Sequence, residues 1–118
     1  MNLIVYQKYP HQQIAFQHFL LGLKTSQMHY LASDLLKFGL SPSDISFAVK
    51  RAMIVCRMAG KEMTDHFYAV YTFQDGEQMK DCKLSSFGYA LVMLNADIRN
   101  KKVAKWQVEV INRAFGTQ

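Results

Sequence analysis

From Ile45 to Ala59 apolar residues return at the spacing of one helix face: Ile45, Ala48, Val49, Ala52, Cys56 and Ala59. Ahead of them stands Ser41-Pro42-Ser43-Asp44. It supplies an N-cap hydroxyl, a proline whose fixed φ suits the first helical position, and an acid near the positive end of the helix dipole. Gly60 supplies the stop, so the spacing predicts an amphipathic helix over 42–59 with Lys50, Arg51 and Arg57 on its other faces. The period then changes to two: Phe67, Ala69, Tyr71 and Phe73 alternate with Tyr68, Val70 and Thr72. Asp75-Gly76 follows, a pair suited to a type I′ turn, in which both central residues need positive φ. A return strand over Met79–Leu84 completes a hairpin.

Downstream, Ser85 caps a helix containing Phe87, Ala90, Leu91 and Leu94, and Asn95-Ala96-Asp97 interrupts it. A last helix is expected from about Asn100 to Phe115, with Val103, Trp106, Val110, Ile111 and Ala114 inward. Lys105, Glu109 and Arg113, four apart, form a solvated ion-pair face on it. Upstream, Ser33 reads as the N-cap of a short helix through Leu35, Leu36 and Phe38, with Gly39 at its end. Residues 2–7 read as a short strand. Residues 11–31 admit two readings. One is a helix starting after Pro10; the other is a hairpin with Gly22–Gln27 as its loop and Met28–Leu31 as its second strand. There is no repeat, linker or low-complexity tract, and the two prolines both stand at element starts. The expectation is one α+β domain over residues 1–118, a small antiparallel sheet or hairpins packed with about four helices.

Composition narrows the function classes. In 118 residues, half are hydrophobic and 13% aromatic, which excludes a disordered chain. A domain of this length buries roughly two-thirds of its unfolded surface, so one core is feasible without staples. The seven methionines add adaptable apolar volume, and core packing accounts for them. A net charge of +5 suits contact with nucleic acid or with an acidic protein partner equally well. The start, Met1-Asn2-Leu3-Ile4-Val5-Tyr6-Gln7-Lys8, lacks a basic region followed by a long apolar run, and no stretch nears the ~20 apolar residues of a membrane span. The expectation is therefore a cytoplasmic chain without membrane contact, its two thiols, Cys56 and Cys82, reduced.

The chain contains no Walker loop, no GxGxxG and no HExxH. Asp65-His66-Phe67 is the best candidate for acid–base chemistry, yet no nucleophile or second acid is placed near it by sequence. A histidine that bonds backbone at a strand start explains the motif better. Cys56, His66 and Cys82 match no zinc spacing. The expectation is no enzyme, no catalytic or metal residue, and no cofactor. Two basic groups remain as contact candidates: Lys50, Arg51 and Arg57, and then Arg99, Lys101, Lys102 and Lys105 around the start of the last helix. Ser33–Met53 also has the outline of a helix-turn-helix, with Leu35 and Ile45 inward and Ser43, Ser46, Phe47 and Lys50 outward. Any capped pair of helices shares that outline.

Several short motifs occur in order. Arg51-Ala52, Cys56 and Gly60 have the spacing Arg-Ala-x3-Cys-x3-Gly; Asp65-His66-Phe67 and Leu84-Ser85 follow; then come Asn95-Ala96-Asp97, Arg99, Val103-Ala104 and Gln107. Tyr30 and Asp34-Leu35 align more loosely upstream. Over roughly two-thirds of its length, from Ser41 to Arg113 above all, the chain resembles the damage-inducible protein D family, itself similar to the N-terminal domain of BRO proteins and to phage antirepressor domains. It departs from the family at Ser86, where the signature has arginine, at Phe87 for tyrosine, at Ile98 for proline, and at Val108-Glu109 for Tyr-Phe. Family members also carry a further C-terminal region. The resemblance implies a small regulator of a DNA-damage (SOS) or phage circuit that binds a repressor or another DNA-associated protein. Departure from the signature arginine points to a domain that only binds. Direct DNA binding through the basic helix faces is the alternative, and the apolar excess is compatible with a homodimer.

Overall fold

The computed structural model describes residues 11–116. The hairpin forms as its turn residues dictate. Asp75 and Gly76 both adopt positive φ, 54° and 80°, as a type I′ turn requires. The register runs from Gln74↔Glu77 at the turn to Phe67↔Leu84 at the base, so β2 is Phe67–Gln74 and β3 is Glu77–Leu84. The return strand thus starts two residues earlier than its apolar pattern suggests, because the turn pairs Glu77 directly. A short β1, Tyr30–Leu31, adds to the other edge of β3 through Tyr30↔Leu84 and Leu31↔Lys83, giving an antiparallel sheet in the order β1-β3-β2.

Of the two readings for residues 11–31, the helix holds: α1 spans His11–Ser26, and the segment expected as a hairpin loop lies inside or just beyond it. The expected strand over 2–7 lies outside the described residues. Ser33 is not an N-cap. The chain enters a 3-10 helix, Ala32–Phe38, from Leu31, whose N–H donates to Asp34 Oδ2 at 2.9 Å, while the Ser33 N–H donates to Asp81 Oδ1 at 3.1 Å. That bond to β3 takes the place of a serine cap. Gly39, φ 86°, ends the turn as expected.

Helix α2, Pro42–Met58, starts as its sequence dictates: Ser41 Oγ accepts the Asp44 N–H at 3.1 Å. Its face of Ile45, Ala48, Ala52 and Cys56 is buried, but Ala59 lies past the helix end and is exposed. Helix α3, Ser86–Leu94, is capped by Ser85, whose Oγ accepts the Gly88 N–H at 2.9 Å. Its buried face differs from the pattern of large apolar residues. Gly88, Val92 and Met93 are inside, whereas Phe87 and Leu94 are exposed. The cause is a backbone approach: a Cβ on Gly88 would sit 2.5 Å from the His66 carbonyl oxygen, so only glycine fits there and it fixes which face turns in.

Helix α4, Lys101–Phe115, is capped by Asn100, whose Oδ1 accepts the Val103 N–H at 3.0 Å and whose Nδ2 donates to the Phe38 carbonyl at 2.7 Å. Only its first half packs. Val103 is fully buried and Trp106 half-buried, but Ile111 and Ala114, expected inward, are exposed because nothing among the described residues covers that end. Glu109 and Arg113 pair at 2.6 Å on the solvated face. The core is formed by the 3-10 helix, α2, α3, the base of the hairpin and the start of α4, with Leu35, Cys56, Leu84, Val92, Met93 and Val103 wholly enclosed. A ring stack of Tyr30 on Tyr89 (4.3 Å), continued edge-on to Trp106 (6.1 Å), ties β1 to α3 and α4. Among the described residues no helix is long and apolar enough to cross a membrane.

Candidate functional site

Most of the motif residues hold the fold together. His66 Nδ1 and Ser85 Oγ are 2.8 Å apart, and the Ser85 N–H donates to the His66 carbonyl. Phe67 and Leu84 face each other across the hairpin base and are both in the core. Cys56 is enclosed, its Sγ 3.8 Å from the Lys61 carbonyl, and Gly60 takes φ 77° just beyond α2. Asn95 Nδ2 donates to the Leu91 carbonyl at 2.8 Å, and Gln107 Nε2 carries α4 onto α3 by donating to the Met93 carbonyl at 2.9 Å. Asp65 is exposed and closes a short 3-10 turn, Met63–Asp65.

The Ser85 hydroxyl is committed as a helix cap, and its proton suits His66 Nδ1 when the ring carries its own proton on Nε2. A pair so engaged is a brace between β2 and α3. Burial pushes the Cys82 thiol up to about 11, so it stays protonated at neutral pH. No group of three His, Cys, Asp or Glu among the described residues could hold a metal ion.

The basic candidates separate. Lys101, Lys102 and Lys105 are exposed at the start of α4, where the helix dipole disfavours cations. Arg57 is exposed in the last turn of α2, where the dipole favours it. Lys50 and Arg51, neighbours in sequence, line different concavities. Of the helix-turn-helix outline, Leu35 and Ile45 are buried and Ser43, Ser46, Phe47 and Lys50 exposed, as expected. Yet its first member is a 3-10 helix, and Phe47 and Lys50 belong to different clefts.

Arg51 and Arg99 come together. They line one notch of about 500 Å3 between the first half of α2 and the α3–α4 loop. Asp97 receives the Arg99 side chain bidentately: Nη2 donates to Oδ2 at 2.7 Å and Nε to Oδ1 at 3.0 Å, while the Arg99 backbone N–H donates to Oδ1 at 3.0 Å. These bonds, with the charge of Arg51 added, hold the Asp97 carboxyl down at about 2. Arg99 in turn holds its proton more tightly, first through Asp97 and further through Asp44. Two acids and two arginines therefore balance one another in the notch. Around them Phe47, Leu94 and Ile98 remain 61%, 46% and 70% exposed.

Sequence reasoning found Arg51, Asp97 and Arg99 and placed Phe47 outward, but it missed Leu94 and Ile98 as the rest of an apolar rim. Leu94 reads as a core residue by period, and Ile98 reads only as a departure from a family proline. An apolar side chain that no core position calls for was the available signal. Comparison with protein-family models, with curated proteins and with solved structures finds no match for this chain.

Proposed function

We propose that the chain is a small non-enzymatic regulator that binds a repressor or another DNA-associated protein through the notch between α2 and the α3–α4 loop. The observation that carries this is the composition of the notch: two exposed arginines line it, with exposed Phe47, Leu94 and Ile98 beside them. Arginine and aromatic anchors of this kind dominate protein–protein interfaces. Asp44 and Asp97 offset the charges of Arg51 and Arg99, which argues against a phosphate site, since the notch brings no net positive charge to a nucleic-acid backbone. The motif resemblance supplies the setting, a DNA-damage or phage circuit in the cytoplasm, with corepressor- or antirepressor-like action.

The second reading, direct DNA binding, draws on Lys101, Lys102 and Lys105, exposed together at one end of α4. Two measurements separate the readings. Affinity capture of repressors and other DNA-bound proteins should retain a partner with the wild-type chain and lose it with Phe47→Asp/Ile98→Asp. Anisotropy on a mixed-sequence duplex should show no binding near physiological salt. A salt slope of several released counterions, with binding persisting there, would transfer the function to DNA.

A further inference from the structure

A second concavity, of about 640 Å3, shares no lining residue with the notch. One wall is an apolar stripe of α2, in which Ile45, Val49 and Met53 recur every fourth residue over ~12 Å of helix. Facing it are Leu36 of the 3-10 helix and Met79 of β3, each 41% exposed. Large apolar side chains left in water beside a partly buried stripe are what a docking groove presents, and methionine adapts its shape to an incoming chain.

Two further features say what fits. The only charged residues lining the groove are Lys50, Lys80 and Asp81, and both lysines are exposed, so the rim is net positive. Two polar atoms beneath it have no hydrogen-bond partner among the described residues. Asp81 Oδ1 accepts N–H groups from Ser33 and Cys82, but its Oδ2 is buried without a donor. Thr72 is 7% exposed and its Oγ1 is likewise unpartnered. Unsatisfied oxygens beneath an apolar lining suit an occupant that brings donors once the covering side chains shift. An amphipathic helix spends its N–H groups internally, and an apolar small molecule has none. An extended peptide offers free N–H groups together with alternating apolar side chains. The longest exposed apolar runs among the described residues, Phe16–Leu23 on α1 and Val108–Phe115 on α4, are helical, and outside the groove the hairpin strands offer Phe73 alone as a large exposed apolar side chain, which argues against a second copy.

We propose that the groove between α2, the 3-10 helix and β3 docks an extended peptide segment of a partner protein, apolar at its centre and carrying Asp or Glu at its ends. This goes beyond the notch and does not rest on it.

The test uses the full chain and a fluorescein-labelled nonapeptide, Leu-Val-Leu-Val-Leu with two Asp at each end, followed by anisotropy and backbone amide shifts. The Asp-flanked peptide should bind, and its Lys-flanked counterpart should bind about tenfold more weakly. Lys50→Glu/Lys80→Glu, exposed positions that leave the fold intact, should reverse that preference. N-methylation of the central peptide bonds should weaken binding, and the shifts should cluster at Leu36, Val49, Met53 and Met79. Phe47→Asp, which disables the notch, should change none of this, so failure of one surface is distinguishable from failure of the other. The proposal is overturned if the Asp-flanked peptide does not bind, if charge reversal leaves its affinity unchanged, or if a helical peptide or an apolar dye binds there in its place. A dimer abolished by Met79→Glu would also overturn it by giving the groove to a second copy.

Discussion

His66 Nδ1 lies 2.8 Å from the Ser85 hydroxyl, and the Ser85 N–H donates to the His66 carbonyl at 3.1 Å, so side chain and backbone both join the same two residues. The pair closes the base of the hairpin onto α3. Replacing Ser85 by Ala removes the cap of α3 and leaves a half-buried imidazole nitrogen unpaired, which should destabilise the fold by about 1–2 kcal/mol in urea unfolding. A double-mutant cycle with His66→Ala should show coupling of about 0.5 kcal/mol or more. Additive effects would mean the two residues do not act as a unit.

The same contact makes Gly88 irreplaceable. With a Cβ only 2.5 Å from the His66 carbonyl oxygen, Gly88→Ala must push strand and helix apart and should cost about 1–3 kcal/mol. Gly22, inside α1 with nothing within 4 Å of its Cβ position, is the contrast. There Gly22→Ala should be neutral or stabilising by up to about 1 kcal/mol, from helix propensity alone. Equal effects at the two glycines would refute the close approach.

The readable parts of this fold are those whose cause is local. Ser41-Pro42-Ser43-Asp44, Asp75-Gly76 and Ser85 act within three or four residues, and each does in the structure what its chemistry dictates. The failures have a cause distant in sequence. Ser33 lies inside the 3-10 helix and not at its cap, and its N–H goes to Asp81, 48 residues away. The buried face of α3 follows the His66 backbone and not the apolar period. The notch was half legible for the same reason: Arg51 and the Asn95–Arg99 motif stand out separately, but nothing in their spacing says that α2 and the α3–α4 loop meet, or that Phe47 joins them.

Asp97 should give stability a defined acid dependence. Its folded carboxyl is held at about 2, below the ordinary unfolded value, by hydrogen bonds from Arg99. A depressed carboxyl contributes stability that is fully present above its unfolded value of about 4 and is lost as pH falls toward 2. The urea midpoint of the wild type should therefore fall more steeply over that window than that of Asp97→Asn, and 1 M salt should narrow the difference because the pair is exposed. Parallel profiles for the two proteins would show that the pair is not formed in solution.

The thiols give a check on packing. Cys56 is wholly enclosed and burial raises Cys82 to about 11, so neither should react readily with iodoacetamide at pH 8. Both should label at once in urea. Fast labelling of Cys82 in the folded protein would mean that the groove it lines opens well beyond the present geometry.

The outer half of α4 offers a last prediction. Val103, at its start, has no exposed surface, while Phe115, three turns on, is 77% exposed. Burial of this kind makes Val103→Ala cost about 1–3 kcal/mol, since methyl groups leave a closed core. Phe115→Ala removes a larger side chain but almost no contact, and should change stability by less than about 0.5 kcal/mol. The ranking inverts what residue size alone would give, so it tests the placement of the helix directly. If Phe115→Ala is as damaging as Val103→Ala, the end of α4 is covered in solution. Dilution then separates the sources: a cost that vanishes at low protein concentration comes from a second copy, and one that persists comes from the chain's own residues.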